Sequence, residues 1–204
     1  QTSLTALRVA ELAHEAGIPR GVLQVLPGDG PSVGEPLGRH MDVDMVSFTG
    51  STETGRRFLQ YAADSNLKKV VLECGGKNPA LVFDDVENLD HVAEHVVNGA
   101  FWNAGQNCSA TSRLIVHSAV KAALLDKIKA RIREWKVGNP LDPANHIGAL
   151  IDKDHCSKVR SYLDDKGDGP FISPTVFEVE ADDQRARDEI FGPVLCVITV
   201  DSND

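Results

Sequence analysis

Two residues of this chain stand where side-chain chemistry is possible. Cys108 sits in Phe101-Trp102-Asn103-Ala104-Gly105-Gln106-Asn107-Cys108-Ser109-Ala110, after a helical apolar pattern (Leu89, Val92, Val96, Val97, Ala100, Phe101) and before a β-like run, Arg113 to His117. Structural cysteines usually lie inside apolar runs, where the thiol acts as a small hydrophobe. Here Gln106, Asn107 and Ser109 flank it in a polar turn, which suits a thiol that another molecule must reach. Spacing alone leaves an incidental cysteine equally open. Glu73 lies in Leu72-Glu73-Cys74-Gly75-Gly76-Lys77-Asn78-Pro79, a carboxylate at the end of a strand-like run followed by two glycines that free the backbone to turn.

Taken together these stretches resemble the aldehyde dehydrogenase superfamily. The glutamate motif is Leu72-Glu73-Cys74-Gly75-Gly76-Lys77, and the nucleophile motif is Gly105-Gln106-Asn107-Cys108-Ser109-Ala110. Phe48-Thr49-Gly50-Ser51 upstream and Glu189-Ile190-Phe191-Gly192-Pro193-Val194 downstream follow in family order. The resemblance runs from Gln1 to Asp204, under half of the usual polypeptide. The chain starts without an initiator Met, directly in a helical pattern, and so has the look of a piece of something longer.

The elements that must position these residues read as an alternation of strands and helices. Leu4, Leu7, Leu12, Ala13 and Ala16 trace a helical apolar face closed by Gly17 and Pro19. Strands are expected at Val22 to Leu26, Met45 to Phe48, Lys69 to Leu72, Ala80 to Phe83, Arg113 to His117, Phe171 to Val179 and Val194 to Val200. Helices are expected at Pro36 to Arg39, Thr52 to Ala63, up to Trp102, Ala119 to Trp135 behind a Ser118 cap, and His155 to Leu163. Such alternation implies an α/β chain with a parallel, doubly wound sheet. By resemblance it is part of a Rossmann-like doubly wound nucleotide-binding domain, residues 1–73, followed by most of an α/β catalytic domain. That second domain covers residues 74–204 and is incomplete at its C-terminus. Between Asp165 and Phe171 relatives usually carry an extra strand and a glycine-rich loop, so the junction here reads as shortened or as missing a segment.

Nucleotides settle at the carboxyl ends of strands in such folds. Gly30 and Gly34, with Gly28, resemble a phosphate-binding fingerprint without matching GxGxxG, and a plain turn fits them as well. Thr49-Gly50-Ser51 precedes a helix, where free backbone N–H groups and the helix dipole favour an anion. Ser51 can equally be a simple helix cap. In the family the matching residues line the cofactor, with Ser51 near its pyrophosphate. Glu189 corresponds to the glutamate that hydrogen-bonds the nicotinamide ribose, and Phe191 to the ring beside the nicotinamide. Without Phe191-Gly192-Pro193 behind it, Glu189 would read as a solvated charge.

The chemistry implied is oxidation of an aldehyde to a carboxylic acid. Cys108 adds to the aldehyde carbon, the tetrahedral oxyanion takes hydrogen bonds, hydride leaves for nicotinamide, and Glu73 activates the water that cleaves the thioester. A partly buried Glu73, with its pKa raised from the usual ~4.3, would serve best as that base. Gly76 and Lys77 are expected to set the turn after Glu73, and Ser112 and Arg113 to stabilise the Cys108 loop. Retention of Glu73 counts against a CoA-acylating relative. A truncated, non-catalytic module that binds nucleotide weakly or pairs with a partner is the alternative. NAD is the expected cofactor, with NADP left open, and a homo-oligomer is implied by resemblance. Tyr61 to Lys69 and Trp135 to Pro143 look like the aminoaldehyde-oxidising branch, including γ-glutamyl-aminobutyraldehyde dehydrogenases.

Composition narrows the partners. The 204 residues suffice for a real core, with 42% hydrophobic and 25% charged residues. A formal net charge of -9 argues against nucleic acid or an anionic membrane. No apolar run approaches the ~20 residues of a membrane span, and no signal-peptide pattern opens the chain. Cys74, Cys108, Cys156 and Cys196 lack close paired spacing, so neither a metal site nor a disulfide framework is expected. A reducing, cytoplasmic setting follows.

Overall fold

The computed structural model describes residues 2–165 and 167–202. Lys166, inside the junction expected to be shortened, lies outside the described residues. The chain divides into two compact units, Gln1–Gly75 and Gly76–Asp204.

The first unit is built on one βαβ step. Strand β1 (Met45–Thr49) runs parallel to β2 (Lys69–Glu73), with Met45 opposite Lys69 and Thr49 opposite Glu73. Parallel neighbours need a crossover, and helix α3 (Thr52–Ala63) supplies it. Its start is fixed by Ser51, whose Oγ accepts the Thr54 N–H at 3.2 Å. Gly55 lets α3 approach the sheet, since a Cβ there would lie 2.9 Å from Cys74 Sγ. Phe58 and Ala62 are the buried apolar side chains of this unit, and Phe58 meets Phe48 and Tyr61 at ring-centroid distances of 4.8 and 5.6 Å. The buried Lys68 ammonium donates to the Gly38 carbonyl at 2.6 Å and to Ser65 Oγ at 2.9 Å, tying the turn after α3 to α2 (Glu35–Arg39).

Helix α1 (Leu4–Glu15) ends as expected at Gly17, which sits at φ +94. Its predicted apolar face holds no fully buried residue: Leu7 and Ala13 are half-buried, and Leu4 and Leu12 are exposed. The strand expected at Val22 to Leu26 is absent: the segment is a turn and irregular coil, with the Val22 N–H bound back to Pro19 O at 3.2 Å. The reason is backbone accounting. A strand needs a ladder partner, and the described sheet of this unit holds β1 and β2 alone.

The second unit carries four parallel strands in the order β3-β4-β6-β5: β3 (Asn78–Val82), β4 (Thr111–His117), β5 (Thr175–Glu178) and β6 (Val194–Val200). β6 reads Val-Leu-Cys-Val-Ile-Thr-Val and is buried along Val194–Ile198, the continuous apolar run of a central parallel strand. Pro79 is tolerated in β3 because β3 is an edge strand with a register shift at that point. Helices α4 (Leu89–Phe101) and α5 (Ser118–Ile132) pack on each other and against β4 and β6. Phe101, Leu114, Leu124, Ile128 and Leu195 form the fully buried heart of the core.

Several boundaries differ from expectation: β3 and β4 begin earlier, at Asn78 and Thr111, and α5 ends at Ile132 rather than Trp135. The cap of α5 is His117, whose Nδ1 accepts the Ala119 N–H at 3.2 Å, with Ser118 already helical. Helix α6 covers Lys153–Arg160 behind an Asp152 cap. β5 begins only at Thr175, because Pro174 has no N–H to offer a ladder. Helix α7 (Gln184–Arg187) is a single turn before β6. Among the described residues no helix is long and apolar enough to cross a membrane.

Candidate active site

The loop that carries Cys108 begins where α4 runs out of helical backbone. Trp102 leaves the helix, and Asn103, Ala104 and Gly105 then adopt φ values of +53, +57 and +68. Three left-handed residues in succession are costly for L-amino acids and persist only where the surroundings enforce them. The enforcement is visible. A Cβ on Gly105 would lie 2.1 Å from the Gly192 carbonyl oxygen, so only glycine fits. Asn103 Nδ2 donates to Gln106 O at 3.0 Å, and Gln106 Oε1 accepts the Ile151 N–H at 3.0 Å. Asn78 Nδ2 donates to Cys108 O at 2.7 Å and to Ala110 O at 3.3 Å. Gly76 passes so close that a Cβ would meet Cys108 O at 3.0 Å.

The backbone of residue 108 is thus held while its side chain is not. Cys108 is exposed, and its Sγ has only Asn107 Oδ1 at 3.9 Å, a weak thiol contact. Ser109 N and Oγ both donate to that same Asn107 oxygen. Cys156 and Cys196 are buried, and burial pushes the Cys196 thiol above its ordinary range.

Glu189 and Phe191 lie in the same unit as Cys108. Glu189 is half-buried, and its Oε1 accepts the Gly76 N–H at 3.0 Å, so it is not a solvated charge. Phe191 sits at φ +60, and its carbonyl accepts from His155 Nε2 at 2.6 Å. Gly76, Lys77, Gly105, Asn107, Glu189 and Phe191 line one small cleft of about 10 Å³, room for about one water. Lys77 Nζ is buried there with no protein hydrogen-bond partner, and burial pushes its ammonium below the ordinary lysine range. Arg113 does not bond the Cys108 loop as expected. It donates to the Lys77 carbonyl at 2.5 Å, while Arg113 Nε and Ser112 Oγ are buried without protein partners. The loop itself is held by Asn78 and Gln106.

The remaining candidates lie in the first unit. Thr49 and Glu73 end the two parallel strands side by side, and the Gly50 N–H donates to Glu73 O at 3.0 Å. The Glu73 residue is exposed rather than partly buried. Ser51 caps α3, the plainer of its two readings. Gly30 and Gly34 open and close a five-residue helical turn that leads into α2. Asp29 caps that turn, accepting from both Ser32 N and Ser32 Oγ. Gly30 and Gly34, with Phe48, Thr54, Arg57 and Tyr61, border a cleft of about 480 Å³. Among the described residues no group of three or more His, Cys, Asp or Glu side chains is placed to hold a metal.

The aldehyde dehydrogenase family profile matches residues 1–204. The chain belongs to that family. An aminoacetaldehyde dehydrogenase of Pseudomonas aeruginosa is 60% identical over 218 aligned positions, covering 100% of this chain and 44% of the relative. A solved γ-glutamyl-γ-aminobutyraldehyde dehydrogenase from Burkholderia cenocepacia superposes with a TM-score of 0.94 at 45% identity, over 98% of this chain and 44% of that one. An indole-3-acetaldehyde dehydrogenase complexed with NAD+ superposes with a TM-score of 0.94 at 43% identity, again over 98% and 44%. The chain therefore spans under half the length of these aldehyde dehydrogenases. The 218 aligned positions exceed the 204 residues here, so the Pseudomonas relative has residues without a counterpart in this chain.

Sequence reading placed Gln106 beside Cys108 but missed its anchoring role, and it missed the roles of Asn78 and His155. An asparagine opening an otherwise apolar strand was a signal for Asn78, since strands disfavour it unless its side chain has work. Nothing local marked His155 or the reach of Gln106 to Ile151.

Proposed function

We propose that this chain supplies the nucleophile, the base and part of the cofactor site of an NAD-dependent aldehyde dehydrogenase. Residues 1–73 would be the C-terminal part of its nucleotide-binding domain and residues 74–204 its catalytic domain. The observation that carries the reading is the exposed Cys108 thiol on a loop whose backbone is fixed by Asn78, Gln106 and Gly105. A nucleophile must be reachable yet held in one geometry, and this arrangement supports both needs.

In the reaction, the Cys108 thiolate forms a bond to the aldehyde carbon, and the carbonyl oxygen becomes an oxyanion. Collapse of that adduct expels hydride and leaves an acyl thioester on Cys108. NAD, when bound, accepts the hydride. Glu73 takes a proton from water, which attacks the thioester; the C–S bond breaks, the acid departs and Cys108 is restored. The residues present fit the cofactor. Glu189 bonds Gly76 through Oε1 and keeps its other oxygen for a ribose hydroxyl, beside the Phe191 ring. In the first unit, Thr49, Gly50 and Ser51 at a strand end, with Gly30 and Gly34 on the larger cleft, are the proposed phosphate-side contacts. A small aminoaldehyde is the proposed substrate class, supported by the names of the similar enzymes. Four cysteines without a disulfide suit a reducing, cytoplasmic setting. A homo-oligomer is proposed from family membership.

The test is appearance of reduced cofactor when the protein meets NAD and an aminoaldehyde. Cys108→Ser should abolish it. Glu73→Gln should keep the first burst and slow steady turnover by ~10²-fold or more, the usual worth of a general base. Equal loss of both phases would remove Glu73 from the deacylation step.

A further inference from the structure

Helix α6 contributes nothing to the reaction as written, yet one of its faces reaches Glu189, Phe191 and Gly192. His155 Nε2 donates to the Phe191 carbonyl at 2.6 Å, and its ring meets the Phe191 ring edge-on at 5.9 Å between centroids. A carbonyl only accepts, so Nε2 must carry the hydrogen. One turn on, Lys158 Nζ donates to Glu189 O at 3.0 Å, and beyond the helix the Tyr162 hydroxyl donates to the Asp188 carboxylate at 2.9 Å. Val159, fully buried, leaves Gly192 no space for a side chain: a Cβ there would lie 2.7 Å from its methyls. Positions 155, 158 and 159 share one face of α6.

These contacts differ in what they hold. Ile190 and Gly192 are buried, and Gly192 is packed against Val159 while its carbonyl accepts the Val194 N–H at 2.7 Å. Phe191, between them, is half-buried and in a left-handed conformation that a bulky residue avoids unless it is restrained. The polar restraint on residue 191 is the His155 bond.

We propose that His155 is a positioning residue: its Nε2–H holds the Phe191 backbone in the left-handed state, and so sets the Phe191 ring and the neighbouring Glu189 carboxylate where the cofactor meets them. The inference rests on the reading of Glu189 and Phe191 as cofactor contacts. Gly192 in turn touches Gly105, and Ile151, two residues before α6, bonds Gln106. The brace thus links the cofactor segment to the Cys108 loop within one unit.

His155→Phe keeps a ring and removes the donor; His155→Gln keeps a donor at similar reach. The loss of one hydrogen bond predicts that His155→Phe raises the Kd for NAD about 5- to 10-fold, whereas His155→Gln stays within about threefold of wild type. The thermal midpoints of both should stay within a few degrees of wild type. His155→Phe binding NAD like wild type, or His155→Gln failing as badly as His155→Phe, would overturn the inference. Nitrogen-15 NMR of the unmutated protein reads the same claim without a variant: the His155 ring should show hydrogen on Nε2, and hydrogen on Nδ1 alone would contradict it. Glu189→Gln separates the two levels. If it leaves the Kd unchanged, the cofactor reading is at fault; if it raises the Kd while His155→Phe does not, only the role of His155 falls.

Discussion

The two units hold their candidate residues by different means. In Gly76–Asp204, four parallel strands and the packed helices α4 and α5 enclose a core centred on Phe101, Leu114, Leu124 and Leu195. On that base the Cys108 loop is fixed from several sides, by Asn78, Gln106, Gly76 and the Gly105–Gly192 approach. In Gln1–Gly75, two parallel strands rest on Phe58 and Ala62, and Leu4, Val9, Val22, Leu26 and Leu59 stay exposed. There Ser51, Gly30 and Glu73 are set by short-range devices: a helix cap, a capped turn and a strand end. Asn103, Ala104 and Phe191 hold their left-handed backbone beside the packed core of the second unit, whereas Leu67, the left-handed non-glycine residue of the first, lies exposed in the turn after α3.

The largest expected effect tests that over-determination. Gly105→Ala adds a methyl 2.1 Å from the Gly192 carbonyl at φ +68. It should cost about 4 kcal/mol or more, combining a clash with left-handed strain. Both tryptophans, Trp102 and Trp135, lie in the second unit, so urea unfolding followed by their fluorescence reads this directly. An unchanged midpoint would show the loop to be far softer than described.

Phe58→Ala attacks the other unit and should cost about 3 kcal/mol by leaving a cavity under α3. Amide exchange across Thr52–Ala63 should accelerate while the tryptophan transition stays put. Equal movement of both would erase the contrast between the units.

The smallest effect is acidic. The Arg185 guanidinium, then the Arg185 N–H, hold the Asp183 carboxyl down from 3.8 to about 2. A depressed acid stabilises the fold above its unfolded value and loses that contribution as pH falls through its folded value. The α7 turn before Glu189 should therefore keep its exchange protection to about pH 4 and lose it towards pH 2. Asp183→Asn should flatten that window, and an unaltered profile would remove the Asp183 cap from the account.

Much of the frame was legible in the chain. Thr52–Ala63 and Val194–Val200 were expected with these same limits, the first from a cap and amphipathic spacing, the second from an unbroken apolar run. Val22 to Leu26 misled because apolar β-branched residues state a preference for a strand but not whether a partner strand exists. The Cys108 and Glu189 segments were legible as motifs. What holds them was not: Asn78 reaches Cys108 across 30 positions, Gln106 reaches Ile151 across 45, and His155 reaches Phe191 across 36. Side-chain bonds of that separation leave no local pattern to read.

The central claim is that the reacting atom is Cys108 Sγ. The direct measurement is mass spectrometry of the protein quenched during reaction with NAD and an aminoaldehyde, read peptide by peptide. The account predicts an acyl thioester on the peptide containing Cys108 and none in Cys108→Ser. Reduced cofactor accumulating while the acyl group sits on Cys74, Cys156 or Cys196, or on no cysteine at all, would contradict it.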